Sequence, residues 1–509
     1  MLARAPSGAI TACMFESPIS IPDHVLPHGR IAIVDIGSNS IRLVVYDQQK
    51  RSPVSIYNEK VMCGLGRGLA NSGKLHPAGV VEAKAALARF LAMGRNMDIQ
   101  SLYVMATAAV RDASDGGEFV RYLEREHTIK IDVISGEREA RLGAYGVCSS
   151  MHKPSGLIGD LGGGSMELVE VHDGAIGGHT SLPLGSLRMF DETKGDRDKI
   201  RKLIDKRFGE VAWLEDKTVP TFYAIGGSFR ALAKMYMTAE KYPLHILHEF
   251  TVEAKPFLAF VREIATFSNE KLEKYPGSAA KRVPQLPGAA LLLEKIMTTT
   301  KCGKVTFSAS GIREGYLYEM LPDKWRSEDG LISSCSEFSS RGGRTIAYSG
   351  DLYIWMAPLM KDEDDMSARL RLAFCLLSEI ALHIHPEYRA EWAFERVLFS
   401  ALTCFSHRER VKLALAMYHR YQYKSSGNRP ELKLISESDK RWAKLVGTAA
   451  NLAYHLSGSI AGNLHHASLD ADASPLSITL SANMKDLMGD AVLRRLNGLE
   501  EAYRQYLKK

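Results

Sequence analysis

The chain has 509 residues, with 65 Lys and Arg against 59 Asp and Glu, a net charge of +6. That length holds about three domains of ordinary size, and 45% hydrophobic with 24% charged residues is the balance of a soluble globular protein. No apolar run approaches the ~20 residues of a membrane span, and so modest a charge admits an anionic substrate without demanding one.

Residues 1–30 read as a flexible tail that lacks the basic and apolar pattern of a secretory signal. The first structured segment is IAIVDIGSNSIRLVVYD, residues 31–47: an apolar strand, Asp35-Ile-Gly37, small polar residues, then a second strand. About 125 positions later GLIGDLGGGSMELVEV repeats the pattern around Asp160, and Ser40 and Ser165 fall at the same offset. Gly-rich turns let backbone N–H groups approach phosphate oxygens, and aspartates at strand ends suit a cation or a bridging water. Two such hairpins facing each other would clamp one polyanion from both sides.

The GLGRG at 64–68 lacks a strand-to-helix context and reads as a loop. ATAAVRDASDG places Arg111 where a strand ends, suited to bidentate phosphate binding or to an ion pair with Asp112 or Asp115. VISGEREARLGAYGV runs from a strand into a helix with Glu137 and Glu139 on divergent faces, so only one can reach a cleft, and helical geometry does not choose between them. In SMELVEV, Glu167 shares a strand face with Val169 and Val171 and sits at the offset that Arg42 occupies in the first copy. Such a carboxylate needs a partner or a metal if it is buried. A third glycine turn, Gly226-Gly227-Ser228, opens a helix and is a ready anion site.

Strands alternate with helices, among them 79–96, 137–147 and 228–238, as far as about residue 322, which predicts α/β layers with a largely parallel or mixed sheet. Beyond about 331 only helical patterns remain, at 351–359, 366–384, 389–404, 408–422, 439–456 and 484–508. The Ser- and Gly-rich 327–344 is the expected linker. The predicted division is a tail (1–30), two α/β domains (31–150 and 151–326), a linker (327–350) and a helical domain (351–509). Seven scattered cysteines show no C-x-x-C and no metal spacing, as expected of reduced thiols in a cytoplasmic protein.

DIGSNSIRLV (35–44), ATAAVRDA (106–113), ISGEREARL (134–142), DLGGGSMELV (160–169), LPLGSLRM (182–189), AIGGSFRAL (224–232) and SASGIREGYL (308–317) together resemble the exopolyphosphatase/guanosine pentaphosphate phosphatase family of the actin–hexokinase–Hsp70 superfamily. The resemblance implies two actin-like (ribonuclease H-like) domains with the active site in the cleft between them. A helical HD-like domain follows, although no His-Asp dipeptide occurs in 351–509. It implies Mg²⁺-dependent hydrolysis of a terminal phosphoanhydride of inorganic polyphosphate, with guanosine pentaphosphate as the alternative substrate and a small-molecule kinase as the remote one. It also implies Glu139 as the base, Asp160 and Glu167 governing metal and water with Asp35 as a further ligand, and Ser38, Asn39, Ser40, Arg111, Gly163, Gly164 and Ser165 binding phosphate beside the third turn. Homodimerisation is a family expectation, K⁺ is a second candidate cofactor beside Mg²⁺, and neither nucleic acid nor a membrane is an expected partner. Between 369 and 444, 14 basic residues face 8 acidic ones. Arg408, Arg410, Lys412, Arg420 and Lys424 are expected to line a path for a long polyanion and favour processive action.

Overall fold

The computed structural model describes residues 29–214, 217–340, 346–422 and 427–508. Strand β1 (Arg30–Ile36) begins at the last residue of the expected tail and pairs antiparallel with β2 (Ile41–Tyr46), which pairs with β3 (Ser55–Val61). On its other edge β1 runs parallel to β4 (Ile99–Ala106), and β4 to β5 (Ile131–Val133). The second sheet repeats this plan. Strands β6 (Gly156–Leu161), β7 (Met166–His172) and β8 (Ala175–Leu182) form an antiparallel meander. From β6 the sheet continues through β9 (Thr221–Gly226) and on past β10 (Phe250–Glu253) in sequence to β11 (Lys304–Phe307), in the order β10-β11-β9-β6-β7-β8.

The inner strands β1, β2, β6 and β7 are buried on both faces, which is why they are almost continuously apolar, whereas β3 and β8 are largely exposed. Ala32, Val34 and Ile36 pack beneath the Pro77–Asn96 and Gly116–His127 helices, while Ile31 and Ile33 pack with Leu142 and Leu317 on the opposite face. In the second sheet Met166 and Leu168 join one core, and Val169 and Val171 join another with Ala140, Ala144 and Val147. The Gly136–Ser150 helix therefore lies between the two sheets and contributes to the core of each.

A third, helical unit has a core running from Leu331 to Ala502, which Leu244 of the second α/β unit joins. Its main helices are Ile346–Trp355, Asp365–Leu377, Arg389–Leu398, His407–Tyr421, Glu437–Ser457 and Asp490–Leu507. It also holds a hairpin, β12 (Ala467–Asp470) with β13 (Ser477–Leu480), anchored where the Trp355 indole N–H donates to the Ala467 carbonyl at 2.7 Å. The expected linker is largely structured: Gly330–Ser340 is a helix. The Asp329 carboxylate accepts from the Leu331 and Ile332 amides at its start, and Leu331 and Cys335, four apart, bury in the helical core. Ser334, Ser339 and Ser340 donate to backbone carbonyls, the Ser334 hydroxyl to that of Leu331 at 2.9 Å. The six described cysteines are all buried and unbridged. Among the described residues no helix is long and apolar enough to cross a membrane.

Candidate active site

The two repeated hairpins close their turns identically. The Gly37 amide donates to the Ser40 carbonyl at 3.0 Å, and the Gly162 amide to the Ser165 carbonyl at 3.0 Å. They also meet: a Cβ added at Gly163 would lie 2.9 Å from Ser38 Cβ, and one at Gly164 3.0 Å from Ser38 Oγ. Only glycine permits that approach. The GLGRG segment braces the first turn, with the Gly66 amide on the Ser38 carbonyl at 2.8 Å and the Gly64 amide on the Asn39 carbonyl at 3.1 Å.

Between the hairpins lies a cavity of about 170 Å³. Ser38, Asn39, Ser40, Gly163, Gly164 and Ser165 line it, as do Gly226 and Gly227 of the third turn, Asp35, Glu139, Asp160 and Glu167. Ser228 is not in the lining; it is buried behind it, with its hydroxyl unpartnered. Glu137 is exposed outside the cavity, so of the two only Glu139 faces it.

Register explains the division of labour between the hairpins. Asp35 stands opposite Arg42 in the first, and Asp160 opposite Glu167 in the second. One copy thus carries an acid–base pair and the other two acids. Glu167 is only 2% exposed and accepts from the Ser181 hydroxyl at 2.9 Å. Burial, with Glu139 and Asp160 adding repulsion, holds its carboxyl well above the ordinary range. Asp160 is pushed up to about 6, chiefly by burial. Glu139, also chiefly through burial, is pushed up to about 7 although Arg111 Nη1 lies 2.8 Å from its Oε2. The folded cleft therefore holds protons that the unfolded chain releases near pH 4–4.5. These groups stabilise the fold below that range, and the contribution fades as pH rises through their folded values. A cation or a proton would relieve the crowding.

Arg111 departs from its expected place. It lies outside the cavity lining and is spent on Glu139, on Asp112 at 3.3 Å and on the Ile134 carbonyl at 3.0 Å. It orients the carboxylate. Asp35 departs as well: its Oδ2 accepts from Arg313 Nη1 at 2.9 Å. Among the described residues no group of three or more His, Cys, Asp and Glu side chains could hold a metal ion. The expected three-carboxylate set is thus reduced to the cross-strand pair Asp160 and Glu167. That pair still fits Mg²⁺, which keeps several waters and takes one or two carboxylates together with substrate phosphates.

Five cations from five different elements also line the cavity: Arg42, Lys60, Arg230, Arg282 and Arg313. Lys60 stands directly across from Arg42 on β3. Burial and then its neighbours Arg282, Arg230, Arg42 and Arg313 lower it to about 8. Arg230, through burial first, is lowered to about 10. Among the described residues only Arg313 of the five forms a carboxylate ion pair. Cross-strand pairing of Arg42 with Lys60 was the one signal available, hidden until β3 had a register.

Among the described residues the expected polyanion path on the helical unit is not formed. Arg410 is 2% exposed and spends its guanidinium on the carbonyls of Val397, Leu398, Ser400 and Leu402. Arg420 is buried against Glu379, and Lys412 is buried against Asp439 and the Trp442 ring. Arg408 is exposed but paired with Asp439 at 2.7 Å, and Lys424 lies outside the described residues. The local basic excess satisfies helix ends and buried acids rather than a ligand. The helical unit instead helps enclose a second cavity, of about 850 Å³. It shares Arg42, Arg230 and Arg313 with the first and extends past Lys50, Arg51 and Arg396.

Residues 27–324 match the Ppx/GppA phosphatase family, and residues 331–506 match the exopolyphosphatase C-terminal family. The chain belongs to the Ppx/GppA phosphatase family. Retrograde regulation protein 2 of Saccharomyces cerevisiae is 24% identical over 86% of this chain and 83% of its own. Exopolyphosphatase 1 of Mycobacterium tuberculosis is 26% identical over 61% of this chain and 93% of its own. The crystal structure of an exopolyphosphatase from Cytophaga hutchinsonii superposes with a TM-score of 0.53 at 23% identity, over 57% of this chain and 97% of that one. The last is a likeness of fold. Membership in the Ppx/GppA family supports an exopolyphosphatase-type hydrolase.

Proposed function

We propose that this chain is an exopolyphosphatase that hydrolyses the terminal phosphoanhydride of inorganic polyphosphate and releases orthophosphate. The carrying observation is a glycine-lined cavity that sets carboxylates around Glu139 and cations around Lys60, the two sets meeting where Arg313 pairs with Asp35 and Arg230 neighbours Asp160. The chief charged neighbours of Glu139 are Arg111, Asp160 and Asp35, whereas those of Lys60 are four arginines. A substrate anionic over its whole length, cut at its end, suits that layout. Its following phosphates neutralise the cations while its terminal phosphorus lies beneath the carboxylates.

In this reading the turns at Ser38–Ser40 and Gly163–Ser165 hold the terminal phosphoryl oxygens. Glu139, ionised and oriented by Arg111, takes the proton from the attacking water. The charge that builds on the bridging oxygen meets Arg230 and Arg313. Mg²⁺ held by Asp160 and Glu167 would supply charge neutralisation at the phosphoryl oxygens. No covalent intermediate is required, since no Ser, Cys or His nucleophile is needed where a water can be activated.

Lys60→Met removes a cation and no catalytic group. It is expected to raise KM for polyphosphate about tenfold with little change in kcat, the pattern of a binding contact made equally in ground and transition states. An equal fall in kcat would place Lys60 at the reacting end instead. With the base near 7, kcat/KM should fall about tenfold per pH unit below pH 7. An acid limb centred near 4.5 would show that Glu139 is not the titrating base.

One observation favours guanosine pentaphosphate as an additional substrate. In the larger cavity Arg396 lies 4.8 Å from the Phe338 ring and 5.8 Å from the Trp392 ring, a wall that accepts a flat base as readily as a phosphate chain. Comparing kcat/KM on long polyphosphate and on the nucleotide separates the two. Turnover of the nucleotide with none of polyphosphate would overturn the proposed reading.

A further inference from the structure

The Gly136–Ser150 helix carries Glu139 in its first turn, and its last turn ends where all three units of the chain converge. Arg51, in the loop after β2, donates from Nη1 to the Ser149 carbonyl at 2.7 Å. Cys404, in the helical unit, donates its amide to the Ser150 carbonyl at 2.8 Å and its thiol to the Ser149 carbonyl at 3.5 Å. His248, in the second α/β unit, donates from Nε2 to the Ser150 carbonyl at 3.0 Å. Helix C-termini leave their last carbonyls without intrahelical partners, and solvent commonly satisfies them. Here three separate units do so instead.

We propose that this clasp is a positioning device, through which the seating of the helical unit sets the placement of Glu139 at the far end of the same helix. The inference rests on the reading of Glu139 as the base. Fifteen residues of helix span about 22 Å and behave as a rod. Its face toward the Ile312–Glu319 helix is packed tightly. A Cβ at Gly315 of the Ile312–Glu319 helix would lie 1.7 Å from the Leu142 carbonyl oxygen, and one at Gly146 would lie 2.2 Å from the Gly311 carbonyl oxygen. On that face backbone meets backbone and no side chain intervenes to absorb a shift, so displacement at Ser150 is transmitted toward the cavity end.

The clasp is itself fixed by a second layer. His248 Nδ1 accepts the Ala309 amide at 3.3 Å, which leaves Nε2 as the donor, and burial lowers its pKa to about 4, so the ring stays neutral. The His248 carbonyl accepts from His407 Nε2 at 3.0 Å, and His407 Nδ1 meets the Tyr242 hydroxyl at 3.0 Å. Cys404 holds a left-handed backbone, φ 64°, that a non-glycine residue adopts only at a cost. Its carbonyl accepts from Arg369 Nη2 at 2.8 Å. The strained residue is the one that delivers two of the donors.

The test uses the full-length protein and His248, which lines neither cavity. His248→Leu cannot donate to Ser150, whereas His248→Gln can. For the Leu variant kcat is expected to fall between about tenfold and a hundredfold, the scale of a misplaced catalytic group, with KM for polyphosphate unchanged. Amide hydrogen exchange should quicken at residues 136–140 as well as at 147–151, and the Gln variant should recover most of both. A capping role confined to stability would lower the melting temperature yet leave kcat of the folded protein, and exchange at 136–140, as in the parent; that result overturns the proposal. If His248→Leu does not fold, Tyr242→Phe keeps the ring and loosens His407, with the same two readouts and the same criteria at smaller amplitude. Exchange requires no turnover, so a chain inactive on polyphosphate still tests the clasp: quickened exchange at 136–140 supports it, unchanged exchange refutes it.

Discussion

Glu139→Gln is expected to reduce kcat on polyphosphate by at least about a hundredfold, the usual contribution of a positioned general base, while binding of the polyanion stays intact. The amide keeps the size of the side chain and can still meet Arg111, so the first helical turn, capped where Ser135 Oγ accepts the Arg138 amide at 3.1 Å, should not move. It also removes one of three mutually repelling carboxyls, so the variant should be no less stable than the parent at neutral pH. The acid limb near pH 7 should vanish from the residual rate. Retained activity with a retained limb would assign the proton to another group, and Glu167 would be next in line.

Gly315→Ala is expected to lower stability by about 3 kcal/mol, the upper end of overpacking costs, and to depress activity further than the unfolded fraction explains. The added methyl would fall 1.7 Å from the Leu142 carbonyl oxygen and 2.7 Å from its carbon, both backbone atoms that cannot rotate away. The Ile312–Glu319 helix must therefore part from the helix that carries Glu139. Gly117→Ala is the control. It lies in the Gly116–His127 helix with only the end of Arg121 nearby, at 3.5 Å, and should gain up to about 1 kcal/mol from helix propensity. Denaturant titration of both variants beside the parent decides the matter; equal midpoints would mean that the helix contact is far looser than the geometry requires.

What the sequence made legible was local or repeated. The twin hairpins appeared because strand, turn and strand are contiguous, and the Glu167 strand could be split into faces by its period of two. Glu139 was separable from Glu137 only by resemblance until the cavity showed which of them faces inward. The cationic half of the site was invisible because Lys60, Arg230, Arg282 and Arg313 are spread over more than 250 positions and converge only through the sheets. Arg410 shows the converse. A basic cluster on a helix looked like a ligand path, but carbonyls from the preceding loop claim the guanidinium. The 330–340 segment failed as a linker for a similar reason, since a Ser-rich composition conceals two apolar residues at helical spacing.

The most direct test of the central claim is orthophosphate release from long-chain polyphosphate by the purified protein, with and without Mg²⁺, with residual chains resolved on a gel. Mg²⁺-dependent release of orthophosphate from chain ends, without short internal fragments, is the expected result. No release in the presence of Mg²⁺, or cleavage into fragments of intermediate length, would contradict it.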